Sequence, residues 1–258
     1  QSLALSLAEA RSSEDPQLFE SLQAYLAERG GLDEAVEAMP SARQLAERRR
    51  HDRSYTRPEL AVIMAYAKMG LYRRLLETDF PEEPRFQHYL FAYFPAVLQK
   101  RFPDAIREHP LRREIVATQF TNTVVDMLGV TFVHRTIRDT GSTPVEVIRA
   151  ALVALEMLDV RQFLDQVFAL DNKVPAGAQY AALTEMVSAV EGIVTWILLS
   201  DLTRMPADAF ATTYREPLTE LRGRLREFLP ERPGRAYDER AARFVDAGFD
   251  ETLAREVA

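Results

Sequence analysis

The chain has 258 residues, a net charge of −7 and a hydrophobic fraction of 47%, the composition of a globular protein large enough to bury a sizeable core. The acidic balance argues against a nucleic-acid partner, because neutralising phosphates requires an excess of cations. The absence of cysteine excludes disulfides, thiol nucleophiles and metal sites that need cysteine ligands.

The sequence carries no signal for secretion or for membrane insertion. Its first residues, QSLALSLAEARSSEDP, lack the basic segment of a signal peptide. The most apolar run, GIVTWILL at 192–199, is far too short to span a bilayer. We therefore expect a soluble, cytoplasmic protein without a membrane partner. Both ends fall inside helical patterns, so we also expect the chain to be cut from a longer one.

Helix signals recur along the chain, whereas no strand alternation and no hairpin turn is found. We predict an all-α fold, an irregular bundle of about a dozen helices without a sheet or a dinucleotide-binding fold. Asp15 and Pro16 mark the start of the first capped helix, Gln17 to Arg29, which Gly30 and Gly31 end.

Capping boxes predict three later helix starts, at Ser41–Gln44, Thr56–Glu59 and Thr143–Glu146. Asp159 is predicted to cap a helix that runs to Ala169. The remaining predicted helices lie at 84–93, 96–101, 111–139, 177–200, 207–214, 217–228 and 237–247, with a short one from 250 onward. Within 111–139, Gly129 is interpreted as a point where another backbone approaches closely.

The predicted helices form one main bundle and a small C-terminal unit. The bundle comprises residues 1–230, of which 1–40 are leading helices. A hinge rich in charge and containing Pro233 and Gly234 separates it from residues 231–258.

A basic run, RRRHDR at 48–53, precedes an apolar helix that begins at the Thr56 capping box. The arginines suit a helix C-terminus, where cations complement the dipole, and this explanation is favoured over a nucleic-acid contact. The residues 60–71 are apolar on all sides, which predicts the central helix of the bundle. Lys68 interrupts that run and must reach water or meet a carboxylate, because an unpaired buried ammonium is very costly.

The sequence contains no recognisable catalytic, cofactor-binding or metal-binding motif. Neither G-x-G-x-x-G nor a P-loop occurs, so NAD or ATP binding by those routes is not expected in this chain. The four histidines are widely spaced and form no ligand pair. No two carboxylates are spaced to form an acid–base pair, and no nucleophile has a partner.

Polar residues on two otherwise apolar helices are the candidates for an interface or an effector site. Gln119, Asn122 and Asp126 fall on one helix face. They suit either a ligand-facing stripe or, as we favour, hydrogen bonds that tie the helix to its neighbours. Arg57, Glu59 and Lys68 on the other helix complete the candidate set: Arg57, Glu59, Lys68, Gln119, Asn122 and Asp126.

Three separated blocks resemble the C-terminal region of the large bacterial NAD-specific glutamate dehydrogenases. They are TRPELAVIMAYAK (56–68), LRREIVATQFTNTVVDMLGVTFVHR (111–135) and LDNKVPAGAQY (170–180). The opening QSLALSLAEAR, the YFP at 93–95 and the closing FVDAGFDETLAREVA fit the same family, so the resemblance runs nearly from end to end.

The resemblance implies that this chain is one part of an oxidoreductase of amino-acid catabolism. The parent enzyme would convert L-glutamate, NAD and water to 2-oxoglutarate, ammonium and NADH. Its dinucleotide fold and catalytic residues would precede Gln1, so NAD would belong to the parent and this fragment alone would be inactive. The implied partners are the catalytic core of the same chain and other subunits of a homo-oligomer.

Three roles remain open for the helical region. It could be a non-catalytic domain that packs on the catalytic core or on another subunit, which we favour. It could be a sensor that binds an effector between helices, through residues 118–123 and Arg57, Glu59 and Lys68. It could also be a scaffold that recruits a partner protein through an apolar groove.

Overall fold

A computed structural model of the chain describes residues 2–200 and 207–258. These residues contain sixteen α-helices and no strand, which confirms the all-α prediction. The helices are α1 (Ser2–Glu14), α2 (Pro16–Tyr25), α3 (Ala42–Arg49), α4 (Arg57–Leu76), α5 (Gln87–Tyr93), α6 (Ala96–Arg101), α7 (Pro103–Arg107), α8 (Arg112–Leu128), α9 (Phe132–Thr140), α10 (Pro144–Met157), α11 (Val160–Phe168), α12 (Ala176–Leu199), α13 (Ala207–Gly223), α14 (Leu225–Phe228), α15 (Glu231–Asp246) and α16 (Glu251–Val257).

Most predicted helix starts are confirmed by cap geometry. The Asp15 carboxylate accepts the Leu18 N–H at 3.0 Å at the start of α2. The capping boxes at Ser41, Thr56 and Thr143 all form, each with the acidic or amide side chain three residues later. The end of α2 differs from a plain stop, because a π-helical turn, Leu26–Gly30, follows it before Gly31 turns left-handed at φ 79°.

The helix predicted over 111–139 is two helices, because Gly129 breaks it. Gly129 adopts φ 91° and ψ 160°, a backbone conformation that only glycine reaches readily, and α9 starts three residues later. The interpretation of Gly129 as a site of close backbone approach was wrong. The nearest atom to the place that a β-carbon would take there is the Arg11 Nη1, at 3.8 Å.

Three further elements differ from the sequence prediction. Asp159 precedes α11 in a left-handed conformation and makes no side-chain cap. The break predicted between 207–214 and 217–228 falls later, because α13 continues through Pro217 and α14 follows it. Proline has no N–H to donate to the carbonyl four residues earlier, but that carbonyl lies on an exposed part of the helix, where water can bond to it. The predicted hinge is instead the first turn of α15, where Pro233 is tolerated because N–H groups there lack intrahelical acceptors.

The chain divides into two compact units, residues 1–148 and 149–258. The domain boundary predicted at residue 230 lies inside the second unit and stays a prediction. In the first unit, α4 packs against α1, α8 and the π-helical turn. Its buried residues are Leu60, Ile63, Met64, Ala67 and Leu75. Met69 is 43% exposed, so the prediction that α4 is buried on all sides was wrong in part.

The far side of α8 carries an aromatic cluster of the first unit. Phe120 is fully buried, and its ring centroid lies 4.9 Å from that of Phe80, 5.3 Å from that of Phe86 and 5.2 Å from that of Tyr89. Edge-to-face geometry between such rings adds stability beyond the area that they bury. The helix α8 is therefore held between α4 and this cluster.

The second unit packs α11, α15 and α16 around α12 and its neighbours. Tyr237 on α15 donates a hydrogen bond to the Arg255 carbonyl on α16 at 2.8 Å. The indole of Trp196 on α12 meets the Tyr214 ring of α13 edge-on, with centroids 5.4 Å apart. These contacts join α15 to α16 and α12 to α13.

Among the described residues, α12 has the length and composition of a membrane-spanning helix. Its most apolar window has a mean hydropathy of 1.6 and is 39% buried. Its buried residues, among them Leu183, Val190 and Ile197, lie on one side. Core helices of soluble proteins pass the same test, so this single helix is weak support for a membrane span. The expectation from the eight-residue run at 192–199 understated how apolar the whole helix is.

We predict that Gly129→Ala lowers the free energy of unfolding by about 1–3 kcal/mol, because a β-carbon is strained at this backbone conformation. Urea unfolding followed by circular dichroism measures the change. The matched control in the same unit is Gly70→Ala. Gly70 lies inside α4 with no packed atom within 4 Å of where a β-carbon would lie, so alanine should raise stability by up to about 1 kcal/mol. Equal effects of the two substitutions would contradict the prediction.

Candidate functional site

The candidate site is a polar cluster between α4 and α8 in the first unit. The Lys68 ammonium donates a 2.9 Å hydrogen bond to the Asn122 side-chain oxygen and lies 2.7 Å from a carboxylate oxygen of Asp126. The side chains of Lys68 and Asp126 are 17% and 32% exposed. Of the two outcomes predicted for Lys68, water or a carboxylate, the structure shows the carboxylate, and 17% of the side chain stays exposed.

The sequence brings these groups together through helix periodicity. Asn122 and Asp126 are four residues apart, so they share one face of α8. Lys68 directly follows Ala67, which α4 buries against its neighbours, so its stem leaves the core at the edge of the α4–α8 contact. The Lys68 ammonium therefore lies next to the side-chain oxygens of Asn122 and Asp126. Hydrogen bonds to these two acceptors offset much of the free energy that the ammonium loses when it is removed from water.

Beside this cluster lies an open groove with a volume of about 240 Å³. The hydroxyls of Thr118 and Thr121 donate to the carbonyls of Glu114 and Ala117 in the preceding turn of α8, so each keeps its lone pairs for another donor. The groove is lined by Lys68, Met69, Tyr72, Thr118, Thr121 and Asn122. It can offer hydrogen-bond acceptors, one shared ammonium and an apolar edge to a small polar molecule.

The other predicted candidates lie elsewhere. Arg57 pairs with Glu9 of α1 at 2.9 Å, and both side chains are half exposed. The Glu59 carboxylate accepts hydrogen bonds from both terminal nitrogens of Arg48, at 2.8 and 2.9 Å. Gln119 is partly buried one turn before Asn122 and takes no part in the bonds to Lys68. The structure therefore joins Lys68, Asn122 and Asp126 and separates the remaining three.

A buried network beside the N-terminus of α4 was missed by the sequence analysis. The Tyr55 hydroxyl donates to the Gln23 side-chain oxygen at 2.9 Å, and the Gln23 amide donates to the Pro40 carbonyl at 2.9 Å. Burial, and then the negative charge of Glu59, raise the pKa of Tyr55, so its proton stays in place. The only sequence signal is an aromatic residue, Tyr55, between the basic run and the Thr56 capping box.

The Arg48–Glu59 pair explains part of the basic run. Burial acts to raise the pKa of Glu59, but hydrogen bonds from Arg48 and Thr56, together with the Arg48 charge, outweigh it and leave that pKa below its ordinary value. Glu59 therefore accepts a hydrogen bond from the Thr56 N–H in the capping box of α4 and also binds Arg48 in the last turn of α3. Arg48 is committed to this structural contact.

The charged candidates are thus paired within the domain, and the described residues hold no group of three potential metal ligands. What the α4–α8 cluster can do chemically is hold a polar ligand by hydrogen bonds. It contains no second carboxylate to act with Asp126 as an acid–base pair.

A family model described as "Glutamate dehydrogenase, C-terminal" matches residues 52–258. The chain belongs to this family. The match includes α4 and α8, and therefore all three residues of the α4–α8 cluster, Lys68, Asn122 and Asp126. It confirms the resemblance drawn from the blocks at 56–68, 111–135 and 170–180.

Curated relatives of this glutamate dehydrogenase C-terminal domain carry the name "NAD-specific glutamate dehydrogenase". Those of Halomonas elongata and Pseudomonas aeruginosa are each 34% identical over the whole of this chain, and that of Mycobacterium tuberculosis is 30% identical over 91% of it. The chain spans about 16% of the length of the first two. In these relatives the matching region is a small part of a much longer chain.

We predict a measurable coupling between Lys68 and Asp126. In a double-mutant cycle with Lys68→Met and Asp126→Asn, the coupling free energy from urea unfolding should be about 1 kcal/mol, because the pair is largely shielded from water. The matched control is Arg57→Met with Glu9→Gln, a half-exposed pair that should couple by less than about 0.5 kcal/mol. Equal coupling in the two cycles would refute the shielding argument.

We also predict a pH-dependent effect of Glu59→Gln. The folded state lowers the pKa of Glu59, so the charged carboxylate stabilises the fold above its ordinary pKa of 4.5, and this stabilisation is lost as the pH falls through the folded value. The substitution should cost about 1–3 kcal/mol near neutral pH and progressively less in acid. Urea unfolding at a series of pH values measures this, with the exposed Glu47→Gln as control. A cost that is independent of pH would contradict the assignment.

Proposed function

We propose that this chain is a non-catalytic helical domain of an NAD-specific glutamate dehydrogenase, and that it packs on the catalytic core of the same polypeptide or on another subunit. The parent enzyme would oxidise L-glutamate with NAD and water to 2-oxoglutarate, ammonium and NADH. It would act in the cytoplasm as a homo-oligomer, without nucleic-acid or membrane partners. Family membership and the names of the relatives support the parent activity.

The observation that carries the packing role is an apolar face on α5 to α7. The helix α6 has no buried residue at all, although it contains Val97 and Leu98, of which Val97 is 64% exposed. An ordinary surface helix buries an apolar stripe, so α6 offers its apolar residues outward. Tyr93, Phe102 and Leu111 are also exposed nearby in the sequence.

The aromatic and basic composition of this face suits a protein interface. The Arg101 guanidinium lies 5.6 Å from the Phe102 ring centre, and that of Arg107 lies 5.4 Å from the ring centre of Phe91. Aromatic residues and arginine are enriched at interface cores. Large apolar residues are exposed repeatedly between positions 93 and 111, and an exposed apolar patch typically marks an interaction surface. We name Tyr93, Val97, Leu98, Phe102 and Leu111 the α5–α7 face.

The test uses a photo-activated cross-linking residue at position 97 of the full-length chain. We expect cross-links from this position to peptides outside the 258 residues, because the face would be covered in the assembled enzyme. The control is position 36, where Val36 is 77% exposed but belongs to no such face. Cross-links no more frequent from position 97 than from position 36 would count against packing through this face.

The non-catalytic assignment has its own test. The purified 258-residue chain should produce no NADH from glutamate and NAD, while the full-length enzyme does. Turnover by the short chain that rises in proportion to its concentration would overturn the assignment.

The α4–α8 groove favours effector sensing as a second candidate function. Its hydroxyl and amide oxygens face an opening beside the Lys68 ammonium, so a polar effector could hydrogen-bond there. Asn122→Leu would remove an acceptor for both Lys68 and such a ligand. Effector control of the full-length enzyme that is unchanged by this substitution would leave only the packing role.

A further inference from the structure

A second cavity of the first unit, separate from the α4–α8 groove, has a volume of about 150 Å³. It lies between α2 with its π-helical turn, α4 and α9, and it shares no lining residue with the groove. We propose that this cavity binds a small organic carboxylate with an apolar body, whose carboxylate is held by arginines at the rim. The proposal does not depend on the α5–α7 face or on the parent activity.

The walls of the cavity are apolar. Leu22 and Leu26 line one side, Leu71 of α4 a second, and Val133 and Ile137 of α9 a third. An enclosed apolar cavity of about 150 Å³ accepts a molecule of benzene's size, and this open one offers a similar volume between its aliphatic walls. The interior therefore suits a body of about six carbons.

Gly70 keeps this space open at a cost to the fold. It lies in the middle of the twenty-residue α4, lines the cavity, and has no packed atom within 4 Å of where a β-carbon would lie. Glycine at an interior helix position costs about 1 kcal/mol relative to alanine. Packing does not require the glycine, so its effect at this position is to leave room.

The π-helical turn is a second irregular element of the same wall. Leu26, Arg29 and Gly30 belong to it and line the cavity. Arg73 donates a 2.8 Å hydrogen bond to the Gly30 carbonyl and so fixes the turn to α4. Single π-helical turns occur frequently at functional sites, because they re-aim side chains at the cost of regular hydrogen bonding.

The residues that line the cavity include basic side chains and no acid. Arg29, Arg74 and Arg138 line the cavity together with His134, and no aspartate or glutamate does, although the chain as a whole has a net charge of −7. Each arginine has a neighbouring carboxylate of its own segment, at 3.6 Å from Glu28, 3.5 Å from Glu77 and 3.0 Å from Asp139. Exposed pairs of this kind contribute about 0–1 kcal/mol, so a ligand carboxylate can compete for the guanidinium groups.

His134 supplies a fixed polar edge next to the arginines. Its Nε2 lies 3.0 Å from the Ser21 hydroxyl, and its ring packs on Tyr25 with centroids 5.3 Å apart. Burial, and then the nearby Arg138, lower the pKa of His134, which keeps the ring neutral around neutral pH. The positive charge that faces a ligand therefore comes from the arginines.

The absence of a lining acid narrows the ligand class. An amino acid would bring its ammonium to the rim beside its own carboxylate, where the three arginines repel a second cation and the nearby carboxylates already pair with those arginines. A fatty or 2-oxo carboxylate has no such group. An uncharged molecule would fill the interior but leave the arginines with their local partners.

Isothermal titration calorimetry of the full-length protein with hexanoate tests the proposal. Norleucine adds an ammonium to the same carbon chain, 1-hexanol removes the charge, and acetate removes the apolar body. We expect hexanoate to bind about tenfold or more tightly than each of the three. Gly70→Leu should abolish hexanoate binding, and Arg74→Gln and Arg138→Gln should each weaken it severalfold.

Two control variants match these changes outside the cavity. Gly192→Leu alters another helix-interior glycine that has no packed atom within 4 Å of where a β-carbon would lie, and Arg43→Gln alters an exposed arginine that does not line the cavity. Both should bind hexanoate as the unmodified protein does. Should Gly70→Leu fail to fold by circular dichroism, the exposed arginine variants still decide the question.

The proposal is overturned by a flat titration with hexanoate, or by hexanoate binding that Gly70→Leu leaves intact in a folded protein. Norleucine binding as tight as that of hexanoate would overturn the ligand class. Loss of binding in Arg43→Gln equal to that in Arg74→Gln would also refute the assignment of the carboxylate to the rim.

Discussion

The first unit is organised by the need to place one ammonium group at the edge of an apolar helix contact. The helix α4 buries Leu60, Ile63, Met64 and Ala67, yet the next residue is Lys68. Its charge is tolerated only where α8 presents acceptors, and Asn122 and Asp126 provide them at 2.9 and 2.7 Å. The two bonds add a specific polar contact to the apolar packing of α8 on α4. The far side of α8 meets the aromatic cluster around Phe120, so α8 is held by the ion pair on one side and by aromatic packing on the other.

The same helix also shows how stability and open space are balanced in this domain. Glu59 closes the N-terminal cap of α4 and binds Arg48, so its carboxylate stabilises two helix ends at once. Beyond Lys68, Arg73 fixes the π-helical turn through the Gly30 carbonyl. Gly70 lies between Glu59 and Arg73, and a glycine at this position makes the helix less stable than an alanine would. The anchors at both ends allow the middle of the helix to remain open on one side.

Helix existence and most of the cap chemistry were predictable from the sequence because both are local, with Asp159 as the exception. Asp15, Ser41, Thr56 and Thr143 each act through a residue three positions away, and all four form as expected. For Lys68 the sequence limited the alternatives to water or a carboxylate, because an unpaired buried ammonium is costly, but it did not decide between them.

Features that depend on tertiary structure escaped the sequence analysis. The break at Gly129 needed knowledge of its backbone angles, since an interior glycine is otherwise compatible with a helix. The identity of the Glu59 and Arg57 partners, Arg48 and Glu9, depended on how α1 and α3 meet α4. The cavity beside Gly70 joins residues from three segments, none of which carries a motif. Family membership could be read from residue blocks, whereas the roles of the candidate polar residues could not.

The single tryptophan of the chain gives the two units different optical signatures. Trp196 belongs to the second unit, is 42% exposed, and contacts the Tyr214 ring. Its emission therefore reports on the surroundings of α12 and α13, while far-ultraviolet ellipticity sums over every helix. If one unit melts before the other, the two signals separate, and their difference shows whether the chain unfolds in one cooperative step. Excitation at the red edge of indole absorption thus gives a view of residues 149–258 without any added label.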